Sequence, residues 1–268
     1  MTLHYNYHTH TRRCGHATGT QEEYVQRAIA CGIEAMGFSD HFPLMHPDGS
    51  EPWWRIPTSE VASYREETMY LREKYKGQID ISFGFEMEYF SVCFPSMLES
   101  ALSYGAEYLI LGQHYVEPEY LGGRHAFSEQ ADEEGGLRSY VSVVIDAMKT
   151  GVFTYVAHPD VFCFKRGELT FYREEMRRLC AASRELNIPI ELNFLGIRSH
   201  RHYPREEFWE IAGEEGAPVT FGFDAHDVQG AYDESSLPTA QAMVERYHLH
   251  YVGKPRLIPI QKLSGKGQ

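Results

Sequence analysis

Residues 3–10 read Leu-His-Tyr-Asn-Tyr-His-Thr-His, and the fold prediction starts from this stretch. The run from Leu3 to Tyr7 is typical of a β-strand, and it ends directly at His8-Thr9-His10. Because side chains alternate along a strand, His8 and His10 share a face, and both imidazoles can reach one metal ion. A single His-x-His is more often structural than functional, so its meaning depends on whether the pattern recurs.

Similar apolar runs recur along the chain and alternate with helical patterns. The six further runs are Ala35 to Phe38, Ile79 to Phe85, Tyr108 to Leu111, Val152 to Ala157, Pro189 to Leu192 and Val219 to Phe223. A capping box, Thr20-Gln-Glu-Glu23, begins the first intervening helix. This alternation predicts an α/β protein with parallel strands, and a short closing run follows at Tyr251-Val252.

The domain organisation predicted from the sequence is simple. No linker rich in proline, glycine or serine divides the chain, so residues 1–268 are expected to form a single domain. The tail from Lys262 to Gln268 is interpreted as a frayed end. No dinucleotide-binding or P-loop glycine motif occurs.

Polar, metal-capable residues follow most of the runs at their carboxyl ends. They are His8, His10, Asp40, His41, Glu86, His114, His158, Asp224 and His226, and His16 lies on the loop after the first run. A closed or nearly closed ring of parallel strands would bring these ends together at one face, where barrel enzymes have their active sites. The pattern therefore favours a TIM-like barrel over an open doubly wound sheet.

The ligand types indicate a metal centre. Seven of the 14 histidines, with Glu86 and Asp224, occupy such positions, and imidazole with carboxylate is the ligand set of zinc, iron or manganese. Nine ligands exceed one coordination sphere of about four to six. Two or three divalent ions are therefore predicted, with Glu86 as the bridge. Sites of this kind activate water and hold the oxygens of a displacement at phosphorus.

Composition excludes several classes of function. The 25 basic and 38 acidic residues give a net charge of −13, which disfavours binding to nucleic-acid backbone or an anionic membrane surface. No run approaches the roughly 18 apolar residues of a membrane span, and the first residues do not resemble a signal peptide. Five scattered cysteines without C-x-x-C favour a reduced, cytoplasmic protein, and all five are interpreted as buried or inert.

The ordered motifs resemble those of the PHP (polymerase and histidinol phosphatase) family, most closely its histidinol-phosphate phosphatases. The motifs span residues 8–226. The resemblance implies a distorted (β/α)7 barrel with three metals. One metal would have His8, His10, Glu86 and Asp224 as ligands. The second would have Glu86, His114 and His158. The third would have His16, His41 and His226. Asp40 would orient an imidazole or take a proton.

The resemblance also implies L-histidinol phosphate as the substrate. Arg198 occupies the place of a phosphate-binding arginine in such phosphatases, and Arg166, with Lys165 as its alternative, is a second candidate. His202 could contact the phosphate or act as the acid, and His46 is a weaker candidate. Residues available for the alcohol are Glu88, Trp53, Trp54 and Phe194. His200, His125, His4, His248 and His250 are interpreted as surface or structural.

The sequence hypothesis is hydrolysis of a phosphate monoester by a metal-bridged hydroxide, with Arg198 and Arg166 aligning the phosphate and Asp40 or His202 protonating the leaving oxygen. Three alternatives stay open. A related phosphoesterase could act on nucleotide or sugar phosphates, an amidohydrolase-like enzyme could use the same barrel, and a structural PHP module could have no activity. The sequence does not determine the oligomeric state.

Overall fold

The computed structural model describes residues 3–129 and 132–260, and the tail from Lys262 to Gln268 lies outside them. In these residues, eight parallel strands form one sheet in chain order. The strands are β1 Tyr5–Asn6, β2 Ala35–His41, β3 Asp80–Met87, β4 Tyr108–Leu111, β5 Phe153–Val156, β6 Ile190–Asn193, β7 Pro218–Gly222 and β8 His250–Tyr251. The first seven correspond to the predicted runs, and the eighth is the short closing run.

Helices connect successive strands and cover the outside of the sheet. They are α1 Gln21–Ala30, α2 Val61–Lys74, α3 Phe94–Ser103, α4 Glu133–Lys149, α5 Leu169–Leu186, α6 Phe194–Arg198, α7 Glu206–Glu215 and α8 Leu237–Arg246. The predicted capping box is confirmed, since Thr20 and Glu23 bond to each other's backbone amides. In the described part of the chain, no helix has both the length and the apolar character that a membrane span requires.

The sheet curls until its first strand meets the region after its seventh. An isolated parallel bridge joins Thr9 to Ala225, with hydrogen bonds from the amide of His10 to the carbonyl of Ala225 (2.9 Å) and from the amide of Ala225 to the carbonyl of His8 (3.1 Å). At the other end of β7, β8 pairs with its first two residues. The carboxyl ends of β1 and β7 are therefore held side by side.

The interior of the curl is filled by large side chains. Tyr108 of β4 is fully buried, and its hydroxyl donates to the carbonyls of Tyr7 (3.0 Å) and Phe38 (3.1 Å). Buried runs on both faces of a parallel sheet are expected when helices cover the outside. Tyr108 thus fixes the strand ends that carry His8 and His10 on one side and Asp40 and His41 on the other.

Candidate metal centre

Nine candidate ligands gather at the carboxyl ends of the strands. They are His8, His10, His16, His41, Glu86, His114, His158, Asp224 and His226, as the sequence pattern grouped them. The strand ends deliver most of them, because β2 runs through His41 and β3 runs through Glu86, while His8, His10, His114, His158, Asp224 and His226 follow β1, β4, β5 and β7 within four residues. His16 lies further along, on the loop between β1 and α1. His8, His10 and Glu86 are at most 1% exposed.

Glu86 lies at the centre of the group, and each of its oxygens faces imidazoles. Its Oε1 is 2.8 Å from Nε2 of His158 and 3.5 Å from Nε2 of His114. Its Oε2 is 3.0 Å from Nδ1 of His41. A β-carbon at Gly112 would lie 1.8 Å from Oε1, so only glycine at this place on the neighbouring strand's end leaves room for the carboxylate. This arrangement suits a carboxylate shared between two cations.

Four buried atoms around Glu86 meet the geometric requirement for one metal ion. Nε2 of His8 and Nε2 of His10 lie 3.5 and 3.4 Å from Oε2 of Glu86, and 3.6 and 3.3 Å from Oδ1 of Asp224. None of the four atoms has a hydrogen-bond partner among the described residues. A tetrahedral ion with ligands at about 2.0–2.1 Å separates them by roughly 3.3–3.4 Å. The four measured separations are therefore close to those of ligands around one divalent ion.

A second group of imidazoles lies nearer the cavity mouth. Nε2 of His226 is 3.0 Å from Nε2 of His16, and ligand atoms of His16, His41 and His226 all lie within 4.8 Å of one another. Burial, with the nearby charges of His226 and His10, lowers the pKa of His16 to about 4. A neutral imidazole with its lone pair available is the form that binds a metal.

Two of the candidate ligands have an unusual backbone conformation. His158 has φ of 30° and Asp224 has φ of 47°, in the left-handed region that side chains other than glycine rarely adopt. Such backbone strain persists only where surrounding contacts hold it, and it concentrates at functional sites. Each residue lies two positions after the end of a strand, β5 for His158 and β7 for Asp224, where the turn directs its side chain toward the cluster.

Two buried carboxylates, Glu191 and Asp40, lie behind the cluster, and Glu191 orients the imidazole of His8. Oε1 of Glu191 accepts from Nδ1 of His8 at 2.7 Å, and its Oε2 accepts from the amide of His158 at 3.0 Å. Asp40 accepts from the hydroxyl of Thr11, and its Oδ1 lies 3.6 Å from Nδ1 of His10. A hydrogen bond at one ring nitrogen of histidine directs the lone pair of the other toward a metal.

Electrostatics keep the central carboxylates ionised. Burial by itself would raise the pKa of Glu86, but the charges of His114, His41 and His8 hold that pKa well below its usual value. Asp224 behaves in the same way, with His8 and His10 outweighing burial and lowering its pKa. The cluster therefore presents anionic oxygens and nitrogen donors together, which is the donor set for zinc, iron or manganese.

A cavity of about 510 Å³ opens above the cluster. Apart from the candidate ligands, its wall is largely aromatic, and it consists of Trp53, Trp54, Tyr115, His125, Phe127, Val161, Leu195, Arg201 and Tyr203. Trp54 and Tyr115 stack with ring centroids 5.8 Å apart. The size and the apolar wall suit a small organic molecule held over the metal ligands.

Arg201 is the one arginine or lysine among the described residues that line this cavity. Its guanidinium lies over the ring of Phe127, 5.2 Å from the centroid, and donates to the hydroxyl of Tyr203 at 2.8 Å. The ring of Tyr203 lies 6.1 Å from that of His158. Phe127 and Tyr203 thus hold the guanidinium of Arg201 at the cavity lining.

Arg198 does not occupy the place that the sequence predicted for it. Its Nη1 donates to the carbonyl of Phe223 (2.6 Å) and its Nη2 to the carbonyl of Asp224 (2.5 Å), and Asp233 lies 3.4 Å from Nη1. These carbonyls lie beyond the end of β7, where the sheet ladder no longer supplies partners. Arg198 therefore supports the turn that carries Asp224 from behind, outside the lining of the cavity.

The other predicted phosphate-binding residues also lie away from the cavity lining. Lys165 pairs with Glu129 at 2.9 Å, and Nε of Arg166 lies 3.2 Å from Glu133. Both cations are mostly exposed on the loop after β5, because acidic residues before and at the start of α4 draw them outward. His46 bonds to Ser50 through Nδ1 within its own turn.

The two predicted proton donors are likewise placed behind the wall. Nε2 of His202 lies 2.8 Å from the carbonyl of Val161, and its ring packs on Phe127. Asp40 is completely buried, accepts from the hydroxyl of Thr11, and has its Oδ1 3.6 Å from Nδ1 of His10, so it does not line the cavity.

The four residues suggested to contact the histidinol part of the substrate lie in two different environments. Trp53 and Trp54 line the cavity. Phe194 is buried between Phe221 and Phe223 instead, and Glu88 is paired with Arg55. Neither of these two is available to a ligand in the cavity.

Sequence reasoning missed four residues of the site: Glu191, Arg55, His125 and Arg201. Glu191 had a signal, since it is a lone carboxylate inside the apolar strand β6. His125 was interpreted as surface or structural, but it lines the cavity, and Nδ1 accepts from the amide of Phe127 at 3.0 Å. Burial, with the nearby charge of His114, lowers its pKa to about 4, so the neutral ring offers Nε2–H as a donor.

The chain is similar to known proteins over most of its length. A probable histidinol-phosphatase of Deinococcus radiodurans is 29% identical, and the match covers 82% of this chain and 85% of that protein. The histidinol-phosphatase of Bacillus subtilis is 25% identical and covers 84% of this chain and 96% of its own.

The chain also resembles a solved structure in its fold and matches a protein-family model. A histidinol phosphate phosphatase of Lactococcus lactis, determined with zinc, L-histidinol and phosphate, has a TM-score of 0.69 and 20% identity, covering 92% of this chain and 94% of its own. That likeness shows a shared fold. The PHP domain family matches residues 6–194. Since this match covers more than half of the sequence and includes the predicted motifs from His8 to His158, the chain belongs to the PHP family.

Proposed function

We propose that this chain hydrolyses L-histidinol phosphate to L-histidinol and phosphate. The observation that carries the proposal is the convergence of unpartnered, buried ligand atoms around Glu86 at the floor of a cavity with one arginine at its rim. Its curated relatives in Deinococcus radiodurans and Bacillus subtilis bear the name histidinol-phosphatase, which supports the choice of substrate.

Two or three divalent ions, zinc, iron or manganese, are proposed to occupy the cluster. His8, His10, Glu86 and Asp224 would hold one, Glu86 with His114 and His158 a second, and His16, His41 and His226 a third. Bound ions would lower the pKa of a water to generate the nucleophile and would neutralise phosphoryl charge. This division was implied by the resemblance, and the distances around Glu86 support it.

The protein's own contribution is to bind and align the phosphate. Arg201 replaces Arg198 as the proposed phosphate-binding arginine, because its guanidinium is on the cavity side and is pre-oriented by Phe127 and Tyr203. His125, neutral with Nε2–H, is proposed to donate to a phosphate oxygen or to the leaving oxygen. The aromatic wall excludes water and would contact the imidazole ring of the substrate.

We also infer that the sheet forms the distorted (β/α)7 barrel that the family resemblance implied. The bridge between Thr9 and Ala225 supports this, because it joins the first and seventh strands at their carboxyl ends, while β8 fills the gap at the opposite end of β7. One apolar core includes residues from Leu3 to Ile260, which supports a single domain. Five free cysteines support the proposed cytoplasmic location.

The experiment is phosphate release from L-histidinol phosphate beside a panel of nucleotide and sugar monophosphates, with zinc or manganese supplied to metal-stripped protein. We expect kcat/KM for L-histidinol phosphate to exceed that of every other member by at least roughly tenfold. A flat or nucleotide-biased profile would retain the phosphoesterase chemistry and reject this substrate. Absence of metal-dependent turnover on the whole panel would reject the phosphatase and favour a structural module.

A further inference from the structure

Arg55 is a buried arginine that nothing above assigns to the reaction. It lies between β2 and α2, and only 1% of its surface is exposed. Its guanidinium forms a two-pronged pair with Glu88, from Nη1 to Oε2 at 2.6 Å and from Nη2 to Oε1 at 2.9 Å. Burying a guanidinium costs free energy unless it is paired, so this position is specified by its partners.

The same guanidinium joins three loops. Nη1 donates to the carbonyl of Phe42, just after β2, at 3.3 Å. Nη2 donates to Oε1 of Glu119, on the loop after β4, at 3.0 Å, and Glu88 lies just after β3. Arg55 therefore fixes the relative positions of three connections at the carboxyl ends of neighbouring strands.

Two features of the cavity depend directly on this arginine. Oε1 of Glu88 lies 3.3 Å from Nδ1 of His114, whose Nε2 faces Glu86. The face of the guanidinium lies 4.0 Å from the ring of Trp54, which in turn stacks on Tyr115 in the aromatic wall. One side chain thus contacts both the carboxylate behind a candidate metal ligand and the indole of the wall.

We propose that Arg55 is a positioning residue that sets the imidazole of His114 through Glu88 and the indole of Trp54 through its own planar face. Lysine cannot reproduce this arrangement, because an ammonium has neither the fork that fits a carboxylate nor the flat surface that stacks on indole. The part concerning His114 needs only a metal ion. The part concerning Trp54 rests on the proposed function, since it concerns the ring of the substrate.

The first test is Arg55→Lys, with zinc binding to metal-stripped protein measured by equilibrium dialysis. We expect one zinc equivalent to bind about 10- to 100-fold more weakly, the effect usual for losing a group that orients a ligand. The equivalent held by His8, His10 and Asp224 should change by less than about threefold, because these three residues do not contact Arg55 or Glu88. A general loss of stability would weaken the binding of all zinc equivalents alike, so a change confined to one equivalent distinguishes positioning from destabilisation.

The second readout compares two substrates at saturating metal. L-Histidinol phosphate carries a ring, whereas O-phosphoethanolamine carries an amine and a phosphate without one. We expect Arg55→Lys to reduce the ratio of their kcat/KM values about tenfold, mainly through KM for the ring-bearing substrate. If the wild-type protein does not hydrolyse L-histidinol phosphate, the proposed function fails, and zinc binding still decides the role of Arg55.

Two variants within the network serve as controls. Glu119→Gln removes the outer carboxylate, which contacts Arg55 and not His114, so every zinc equivalent should stay within about threefold of wild type. Glu88→Gln interrupts the link to His114 and should reproduce the weakened equivalent. Should Arg55→Lys not yield folded protein, Glu88→Gln decides the question. Folded variants with unchanged zinc binding, or an equal loss in Glu119→Gln, would overturn the proposal.

Discussion

The floor and the wall of the cavity are built by different parts of the chain. On the floor, His41 and Glu86 belong to strands β2 and β3, whose backbone is fixed by sheet hydrogen bonds. On the wall, Trp54, Tyr115 and Arg201 come from loops outside the sheet, where contacts such as the Trp54–Tyr115 stack and the hydrogen bond from Arg201 to Tyr203 hold their side chains. The difference teaches that the central candidate metal ligands lie on sheet strands, while the groups proposed to select the substrate lie on loops, where the sequence can vary with less cost to the fold.

We expect the largest effect from a change at Glu86, at the centre of the floor. Glu86→Gln keeps the volume of the side chain but removes the charge that faces His41, His114 and His158. We expect kcat/KM for L-histidinol phosphate to fall by about 10³-fold, and at least one equivalent of bound metal to be lost. Steady-state phosphate release and elemental analysis of the purified protein measure the two quantities.

The matched control for this change is Glu175→Gln. Glu175 is also a buried carboxylate, 6% exposed, but it pairs with Arg178 on α5, on the outside of the sheet. Its variant should retain full metal content and kcat/KM within about twofold of wild type. Comparable losses in both variants would mean that any buried carboxylate is needed, and the special position of Glu86 would be refuted.

The next effect concerns the wall. Arg201→Ala should lower kcat/KM by about 100-fold, mostly by raising KM, since a hydrogen-bonded charge at phosphate contributes roughly 1.5–3 kcal/mol. Arg201→Lys should recover part of this loss, because lysine keeps the charge without the fork. Inhibition by inorganic phosphate, measured in parallel, isolates the phosphate contact from the contact with the alcohol.

Arg198→Lys tests the arginine that lies behind the floor of the cavity rather than in its wall. Losing donors to the carbonyls of Phe223 and Asp224 should lower the thermal midpoint by about 2–8 °C, with the inhibition constant of phosphate changed by less than about threefold. If that constant responds to Arg198 and not to Arg201, the phosphate-binding arginine is the one that the sequence predicted.

These two arginines show where prediction from sequence succeeds and where it ends. The floor could be predicted because strand periodicity fixes the side-chain direction of residues such as His41 and Glu86, and parallel strands bring their carboxyl ends together. Arg198 and Arg201 are three residues apart on a helix end and its following turn. Arg198 turns away from the cavity because it donates to the carbonyls of Phe223 and Asp224 beyond β7. These residues are distant from Arg198 in the sequence, so the sequence pattern does not reveal the contact.

Glu191, which the sequence reasoning missed, is the subject of the fourth prediction. Glu191→Gln should weaken zinc binding about tenfold, because it alters the acceptor that orients His8 and the backbone of His158. The carboxylate fits closely, since a β-carbon at Gly222 would lie 1.7 Å from its Oε1. Equilibrium dialysis measures the change, and Glu175→Gln again serves as control. Zinc binding equal to wild type would show that the floor ligands need no support from behind.

The smallest effect separates two adjacent tryptophans of the wall. Trp54 stacks on Tyr115 and lies edge-on to His114, with ring centroids 5.5 Å apart, whereas Trp53 is 75% exposed at the mouth. Trp54→Leu should lower kcat/KM for L-histidinol phosphate about five- to tenfold, because an aromatic contact contributes roughly 0.5–1.5 kcal/mol. Trp53→Leu should stay within about twofold.

Measuring both variants on O-phosphoethanolamine shows whether the wall selects the ring. This substrate has no ring to contact Trp54, so neither variant should change its kcat/KM by more than about twofold. Equal losses on both substrates in Trp54→Leu would place the indole with the floor, acting through His114 and His41 at ring distances of 5.5 and 5.0 Å. The division between a rigid metal-binding floor and a selective wall would then fail at the residue where the two surfaces meet.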